Sequence, residues 1–257
     1  MKWISRLFSR GGEVSLETAS YAAVGDRPVQ EDSIGVAENE KGLCCILCDG
    51  LGGHGMGDAA SSLVVSVVKD RFLRNEADLA DFLGQAFCAA QDSLMAEQKA
   101  RRAQEKMKTT AAAMVTDRRK VYIGHVGDSR IYIFGRNGKW RRTGDHSIPQ
   151  MLVMTREIKE SEIRRHPDRN ILLRVMGVEW EKPMYELMRP IDLSACDGFL
   201  LCSDGFWELI EEADMTEALH TSASAEEWLE KMIRIVSSHG SDRKMDNNSA
   251  IAVLCRR

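Results

Sequence analysis

The sequence contains no long apolar run and no excess of positive charge. No stretch approaches the roughly 20 apolar residues that a membrane-spanning helix needs, so no transmembrane segment is expected. The 257 residues carry a formal net charge of −4, which leaves no broad basic face to neutralise nucleic-acid phosphates. A nucleic-acid partner is therefore not expected.

The sequence also lacks a disulfide framework. Its seven cysteines are an odd number, and Cys44, Cys45 and Cys48 lie in one apolar run. Cys45 and Cys48 would face opposite sides of a strand, so this pair does not predict a metal site. The pattern favours a reducing compartment and a cytoplasmic location.

The first ten residues lack the continuous apolar core of a signal peptide. Apolar residues such as Trp3 and Leu7 alternate with basic ones, which is the pattern of a short basic amphipathic segment. Two alternatives stay open for it: packing or fraying beside its own domain, and docking on a membrane or partner. We treat residues 1–14 as a tail and residues 15–257 as one domain.

Short apolar segments separated by turn signals make up most of this domain. The segments that read as strands are 33–38, 43–48, 110–116, 120–126, 130–134 and 249–254. Those with helical spacing are 58–74, 78–102, 214–219 and 225–238. Asn137-Gly138 is the strongest hairpin signal and predicts antiparallel pairing. The pattern favours an α+β fold, with antiparallel sheets covered by helices.

Four aspartates stand at the ends of strand-like runs: Asp32, Asp49, Asp204 and Asp246. A strand delivers a side chain rigidly to its end, and the glycines after two of them let the backbone turn. Hard cations such as Mg²⁺ and Mn²⁺ prefer oxygen ligands, which converging aspartates could supply without histidine or cysteine. Taken singly, each dipeptide also fits an ordinary turn; the joint pattern is what favours a metal site.

Several motifs, in this order, resemble those of the PP2C-type (PPM) protein phosphatases of bacteria. They are GDRPVQED at 25–32, CDGLGGHGMGDAAS at 48–61, GHVGDSR at 124–130, TGDHS at 143–147, LCSDGFW at 201–207 and DNNS at 246–249. The resemblance extends from about Tyr21 to Leu254. It implies a four-layer α-β-β-α sandwich, in which two antiparallel sheets are flanked by helices.

The resemblance implies an enzyme that hydrolyses phosphoserine and phosphothreonine monoesters. Two bound Mn²⁺ or Mg²⁺ ions would activate a water molecule for direct attack on phosphorus. The absence of a Cys-x5-Arg phosphate loop agrees with a mechanism that has no phosphoenzyme. The implied metal ligands are Asp32, Asp49, the Gly50 carbonyl, Asp204 and Asp246, with Asp49 as the bridge. Asp128 would help bind a weaker third ion, unless it only caps its own turn.

Arg27 resembles the phosphate-binding arginine of the family, and with the four aspartates it completes the expected catalytic set. Glu31 could hold a metal-bound water. His54 is open between a general acid and a residue that orders its glycine-rich loop. His125 is expected to be a satisfied buried histidine, and His146 to order the connection after the hairpins.

The sequence departs from the family pattern at Gln30, Lys108 and Ser249. Lys108 replaces a glycine, so its side chain must point to solvent or alter a tight backbone approach. Residues 149–190 resemble the variable flap of the family, and their cations fit either acidic phosphopeptides or a solvated helix face.

The expected partners are phosphoproteins made by an opposing serine/threonine kinase, and a monomer is expected. The competing hypotheses are a regulatory module that lost catalysis and a two-metal hydrolase for nucleotides or phosphodiesters. Retention of every metal aspartate argues against the first, and the motif order argues against the second.

Overall fold

The computed structural model describes residues 14–51, 55–74, 78–103 and 106–257, together with the backbone of 7–9. The strands of this part are β1 (Leu7–Ser9), β2 (Ser15–Ala23), β3 (Asp32–Asn39), β4 (Gly42–Asp49), β5 (Ala111–Thr116), β6 (Lys120–Val126), β7 (Arg130–Gly135), β8 (Trp140–Arg142), β9 (Glu186–Leu187), β10 (Ile191–Asp192), β11 (Cys196–Cys202) and β12 (Asn248–Arg256). The helices are α1 (Gly57–Leu73), α2 (Leu79–Arg101), α3 (Ile148–Met154), α4 (Asp204–Trp207), α5 (Glu212–His220) and α6 (Ala225–Gly240). Short 3₁₀ turns span Glu160–Arg165 and Leu193–Ala195.

The strands form two sheets. One has the order β1-β2-β12-β11-β7-β8 and the other β10-β6-β5-β4-β3, with β9 paired to β6. The pairs β12 with β2 and β3 with β4 are antiparallel. Because consecutive strands such as β3 and β4 are joined by tight turns, antiparallel pairing follows directly from the chain order.

Three apolar clusters establish the order of the layers. Between the sheets, Cys45 of β4 lies in one cluster with Ile251 of β12. The next residue along β4, Cys44, points the other way into a cluster with α1 and α2. The outer face of the other sheet packs on α5 and α6, with Trp228 fully buried. The expected four-layer α-β-β-α sandwich is therefore confirmed.

The predicted strands and helices match elements of the structure within a few residues, but the strands β2 and β11 were not predicted. Asn137-Gly138 turns the chain between β7 and β8, and Gly138 has a φ of 73°, which suits glycine. Cys45 and Cys48 lie in clusters on opposite faces of β4, as predicted. The helices α3 and α4 were not predicted, because seven and four residues are too few to show a helical period.

The N-terminal tail is described only in part. Leu7–Ser9 forms β1 and pairs with β2, and the remainder of residues 1–13 lies outside the described residues. The boundary between tail and domain stays a prediction. Within the described part of the chain, no helix combines the length and the apolar character that crossing a membrane requires.

A buried ion pair ties β7 to the loop after β8. Arg130 donates from Nε and Nη2 to the two carboxylate oxygens of Asp145, at 2.9 and 2.7 Å, and its guanidinium carbon lies 3.4 Å from the ring centroid of Trp207. Burial alone would raise the pKa of Asp145, but the charges of Arg130 and Arg142 outweigh it and hold that pKa below its usual value. The bidentate pair fixes Arg130 between the site loops.

Replacement of this carboxylate tests how much the pair stabilises the fold. Asp145→Asn should lower the free energy of unfolding by about 3 kcal/mol, because it leaves Arg130 buried without a counter-charge. Since the folded-state pKa of Asp145 is lowered, its contribution is complete above the unfolded pKa and is lost as pH falls through the folded one. Urea denaturation should therefore show a difference from wild type that is largest near pH 7 and shrinks below about pH 4.

A matched control is Asp197→Asn. Asp197 lies 3.9 Å from Arg136 with both side chains well exposed, so its removal should change the unfolding free energy by less than about 1 kcal/mol. Equal stability losses in the two variants would contradict a special role for the buried pair.

Candidate metal centre

A cavity of 680 Å³ lies beside the ends of four strands. The acidic residues in its lining are Glu31, Asp49, Asp128, Asp204 and Asp246. Arg27, Gly50, Lys108 and Asn247 also line it. The structure therefore brings together almost all of the site residues that the sequence predicted, from positions more than 200 residues apart.

The two sheets position the aspartates in pairs. Pairing of β3 with β4 places Asp32 opposite Asp49. In the other sheet β11 and β12 are neighbours; Asp204 follows the end of β11, and Asp246 precedes the start of β12. Asp49 and Asp204, one from each pair, both line the cavity, and the charge of Asp204 raises the pKa of Asp49. The site thus bridges the sandwich.

Asp32 lies behind the cavity rather than in its lining. It is 5% exposed, and its Oδ2 accepts a hydrogen bond from Ser203 Oγ at 2.8 Å. Its Oδ1 is buried and accepts no hydrogen bond from the described residues, which leaves a lone pair for a ligand. Burial first, and then the charges of Asp204 and Asp246, raise the pKa of Asp32 to about 7 despite the serine hydroxyl.

The other aspartates disfavour one another's charge. Burial first, then the charges of Asp204 and Asp32, raise the pKa of Asp49 well above its usual value. Burial and Asp204 raise the pKa of Asp128 in the same way, and burial and Asp246 raise that of Asp204. A buried group of carboxylates in which each raises the pKa of the next is the environment that a hard divalent cation relieves. The residues therefore fit the expected metal ions.

Gly50 occupies a place where no side chain fits. A Cβ at this position would lie 2.2 Å from the carbonyl oxygen of Gly57, at the start of α1. The Gly50 amide donates to the carbonyl of Glu31 at 3.1 Å, which fixes the peptide beside the cavity. The carbonyl predicted as a ligand thus belongs to a rigid, closely packed backbone.

Arg27 stands at the cavity, with its side chain 45% exposed. Its Nη2 donates a short hydrogen bond to Asp246 Oδ2. That hydrogen bond raises the pKa of the guanidinium, so Arg27 is a permanent cation anchored by one aspartate of the site. The predicted phosphate-binding arginine therefore lies where a phosphoryl group in the cavity would be within its reach.

Asn247 is a site residue whose role the sequence analysis missed. Its Oδ1 accepts from the Glu31 amide at 2.7 Å, and its Nδ2 donates to the carbonyls of Val24 and Val29 at 2.8 and 3.0 Å. These bonds clamp the loop that carries Arg27 to the start of β12. The asparagine directly after Asp246 was the available signal, since an amide side chain satisfies donors and acceptors together.

Lys108 also lines this cavity and is half-buried. Its carbonyl accepts from the Leu51 amide at 2.9 Å, so the loop before β5 is fixed next to the Gly50 turn. The close backbone approach in this region is made by Gly177, where an added Cβ would lie 3.2 Å from the Lys108 Cα. The lysine is therefore accommodated in the cavity wall.

The histidines divide into two groups. His54 lies outside the described residues, so its role stays a prediction. His125 is buried and donates from Nε2 to the Gly144 carbonyl at 2.7 Å. The Gly127 amide donates to His146 Nδ1 at 3.2 Å, joining the two loops as expected. Burial lowers the pKa of His125, and burial together with His125 lowers that of His146 to about 3.

These two imidazoles and Glu186 bring three possible ligand atoms within 4.8 Å of one another. The rings are stacked, with centroids 4.6 Å apart and planes 21° apart, so their in-plane lone pairs run nearly parallel. In addition, His146 Nδ1 accepts a hydrogen bond, which places the proton of the neutral ring on Nε2. This group therefore lacks the converging lone pairs of a metal site.

Comparison with known proteins identifies the family of this chain. Residues 22–248 match the family model for protein phosphatase 2C. The serine/threonine phosphatase stp of Listeria innocua is 31% identical over 229 residues, which cover 87% of this chain and 89% of that protein. The chain belongs to the protein phosphatase 2C family.

Solved structures of serine/threonine phosphatases have the same fold as this chain. The serine/threonine phosphatase Stp1 of Staphylococcus aureus has a TM-score of 0.84 and 26% identity, with 94% of this chain and 96% of that chain covered. The catalytic domain of PstP, solved with two manganese ions, has a TM-score of 0.78 and 25% identity over 95% of this chain and 100% of that chain. The expected family, fold class and enzyme class are confirmed.

The electrostatics of the cluster predict a stability effect in metal-free protein. Asp49→Asn should raise the free energy of unfolding by at least about 1 kcal/mol, or the melting temperature by about 2–4 °C. The reason is that the folded state disfavours the Asp49 charge, whereas an amide of the same shape can donate to Asp204. Thermal melts in chelator measure this, with exposed Asp242→Asn as the control. A lower melting temperature for Asp49→Asn would contradict the repulsion.

Proposed function

We propose that this protein hydrolyses phosphoserine and phosphothreonine monoesters in proteins. The observation that carries the proposal is the cavity in which aspartates from both sheets surround a space beside the Arg27 guanidinium. Bound cations would stabilise a cluster of carboxylates whose pKa values are raised by burial and by neighbouring charges. An arginine anchored beside the cluster suits a phosphoryl dianion. The names of the Listeria and Staphylococcus relatives support the choice of substrate.

The cofactors we infer are two divalent ions, Mn²⁺ or Mg²⁺. Their ligands would be Asp32, Asp49, the Gly50 carbonyl, Asp204 and Asp246, and Asp49 would contact both ions. When bound, such ions lower the pKa of a water molecule and neutralise the charge of the phosphoryl oxygens. The two manganese ions of the PstP catalytic domain support this number.

The chain's own residues would bind and orient the substrate. Arg27 would place its planar fork against two phosphoryl oxygens, while Asp246 holds the guanidinium in position. Glu31, whose pKa is raised by burial and by Asp58, would accept a hydrogen bond from a water at the cavity wall. Asp128 would add a ligand for a third, weaker ion; its place in the lining supports this role.

The competing hypotheses are less well supported. A regulatory module without catalysis does not require five acidic residues around one cavity, and those residues are all present. A phosphodiesterase would need room for a second ester group beside Arg27, and none of the described residues of the site favours it. The partners we infer are phosphoproteins made by an opposing serine/threonine kinase. The seven free cysteines support a reducing, cytoplasmic setting; a monomeric state stays a prediction.

The central test is metal-dependent hydrolysis. A phosphothreonine peptide should be hydrolysed with Mn²⁺ or Mg²⁺ and not in chelator, and a phosphodiester should not be hydrolysed. Mn²⁺ should also raise the melting temperature of wild type through mass action, and Asp49→Asn and Asp204→Asn should lose both effects while remaining folded. Full activity in excess chelator, or an unchanged melting temperature with Mn²⁺, would overturn the metal assignment.

A second test separates phosphate binding from metal binding. Arg27→Ala should lower kcat/KM on a phosphothreonine peptide by about 10–100-fold, the value of one charge-assisted bidentate contact. The rise in melting temperature with Mn²⁺ should persist, because the guanidinium contacts phosphate rather than cations. Arg119→Ala, an exposed arginine in the turn before β6, is the control. An unchanged kcat/KM for Arg27→Ala would reduce this residue to a partner of Asp246.

A further inference from the structure

A second cavity, of 590 Å³, lies next to the metal centre and is lined mainly by basic residues. We call it the basic pocket. Its charged lining residues are Arg164, Arg165, Arg169, Arg243, Glu208 and Glu211, with His239 and Leu209 beside them. Four arginines against two glutamates leave this lining with a charge of +2 in a chain whose net charge is −4.

The two glutamates are already neutralised. Arg164 is 13% exposed and donates to Glu211 at 3.0 Å and to the Trp207 and Ile210 carbonyls at 3.0 and 2.9 Å. Arg169 donates to Glu208 at 2.7 Å. Arg164 also pairs with Glu212 at 2.9 Å, so these contacts fix the walls of the pocket and pair both glutamates of its lining with arginines.

Arg165 and Arg243 supply the excess charge. Both are exposed, and neither forms an ion pair with another of the described residues. They come from different parts of the chain, Arg165 from the end of the 3₁₀ turn and Arg243 from the connection after α6. Two free guanidinium groups that face one cavity from separate elements are suited to binding an anion.

The basic pocket shares a wall with the metal centre. Glu208 lies one helical turn after Asp204, and its amide donates to the Asp204 carbonyl at 2.9 Å. Arg169, in the lining of the basic pocket, is followed by Asn170, which lines the metal-centre cavity. A peptide with one phosphorylated residue beside Arg27 can therefore place a nearby group in the basic pocket.

We propose that the basic pocket binds a second phosphoryl group of the same substrate, so that doubly phosphorylated segments are preferred. This inference rests on the proposed function. A phosphoryl dianion matches the +2 charge of the lining and offers each guanidinium a pair of oxygens. Inorganic phosphate has the same chemistry, and the experiment must distinguish these two sources.

The test compares phosphothreonine peptides with and without a second phosphoserine, placed from two to eight positions before or after the first. Wild type should hydrolyse the best doubly phosphorylated peptide with a kcat/KM about tenfold higher, the value of one charge-assisted contact. The double variant Arg165→Gln/Arg243→Gln should lose this preference and keep its activity on singly phosphorylated peptides. Arg156→Gln, an exposed arginine of the same segment outside the pocket, should behave as wild type.

Binding provides a readout that does not depend on turnover. The inactive variant Asp204→Asn should bind a fluorescent doubly phosphorylated peptide more tightly than a singly phosphorylated one, and Arg165→Gln/Arg243→Gln in that background should abolish the difference. An equal gain with glutamate in place of phosphoserine would overturn the assignment to a phosphoryl group.

The remaining outcomes distinguish a peptide phosphate from inorganic phosphate, and failure of this inference from failure of the proposed function. If inorganic phosphate changes the rate of wild type but not of the double variant, and a second peptide phosphate has no effect, the pocket serves free phosphate and the proposal is wrong. Equal hydrolysis of singly and doubly phosphorylated peptides overturns this inference alone. Failure to hydrolyse any phosphopeptide overturns the proposed function itself.

Discussion

Mutual repulsion among buried carboxylates is the constraint on which this structure depends. Asp49 and Asp204 come from different sheets and are half-buried; burial and the charge of Asp204 raise the pKa of Asp49, and burial and the charge of Asp246 raise that of Asp204. Such a cluster opposes folding unless the rest of the molecule holds it together. The extensive apolar core between and outside the sheets supplies that stability, and bound cations would convert the repulsion into affinity. The carboxylate cluster thus lowers the free energy of unfolding, which is a common cost of a functional site.

Rigid backbone around the site keeps the carboxylates from moving apart. The Asp49 carbonyl accepts from the Thr110 amide and from Thr109 Oγ1, both at 2.8 Å. On the other sheet, Ser203 Oγ donates to Asp32 and accepts from the Ser249 amide at 3.0 Å. Asp32 and Asp49 therefore stand on strand ends that are hydrogen-bonded to neighbouring segments, which is how a fold preorganises charge that would otherwise disperse.

The sequence predicted the parts of this site that have a local signal. Aspartates at strand ends, and glycine after Asp49, can be recognised because turn chemistry and strand periodicity are local. Asn247 could be noticed beside Asp246, but the partners of its clamp, Val24 and Glu31, could not be predicted, since they lie more than 200 residues away. For Lys108, the sequence showed an unusual residue but not its place in the cavity wall, which depends on how the loop packs against the Gly50 turn.

The roles of the basic residues in the flap, residues 149–190, also could not be predicted from the sequence alone. A run of cations in a sequence fits a solvated helix face and a binding site equally well. In the fold, Arg164 turns inward and pairs with Glu211 and Glu212, whereas Arg165, its direct neighbour, is exposed and forms no ion pair with the described residues. Because Arg164 is paired and Arg165 is not, positive charge remains beside the acidic cavity. A chain with net negative charge can then attract a phosphorylated partner, because the local field rather than the total charge guides the approach.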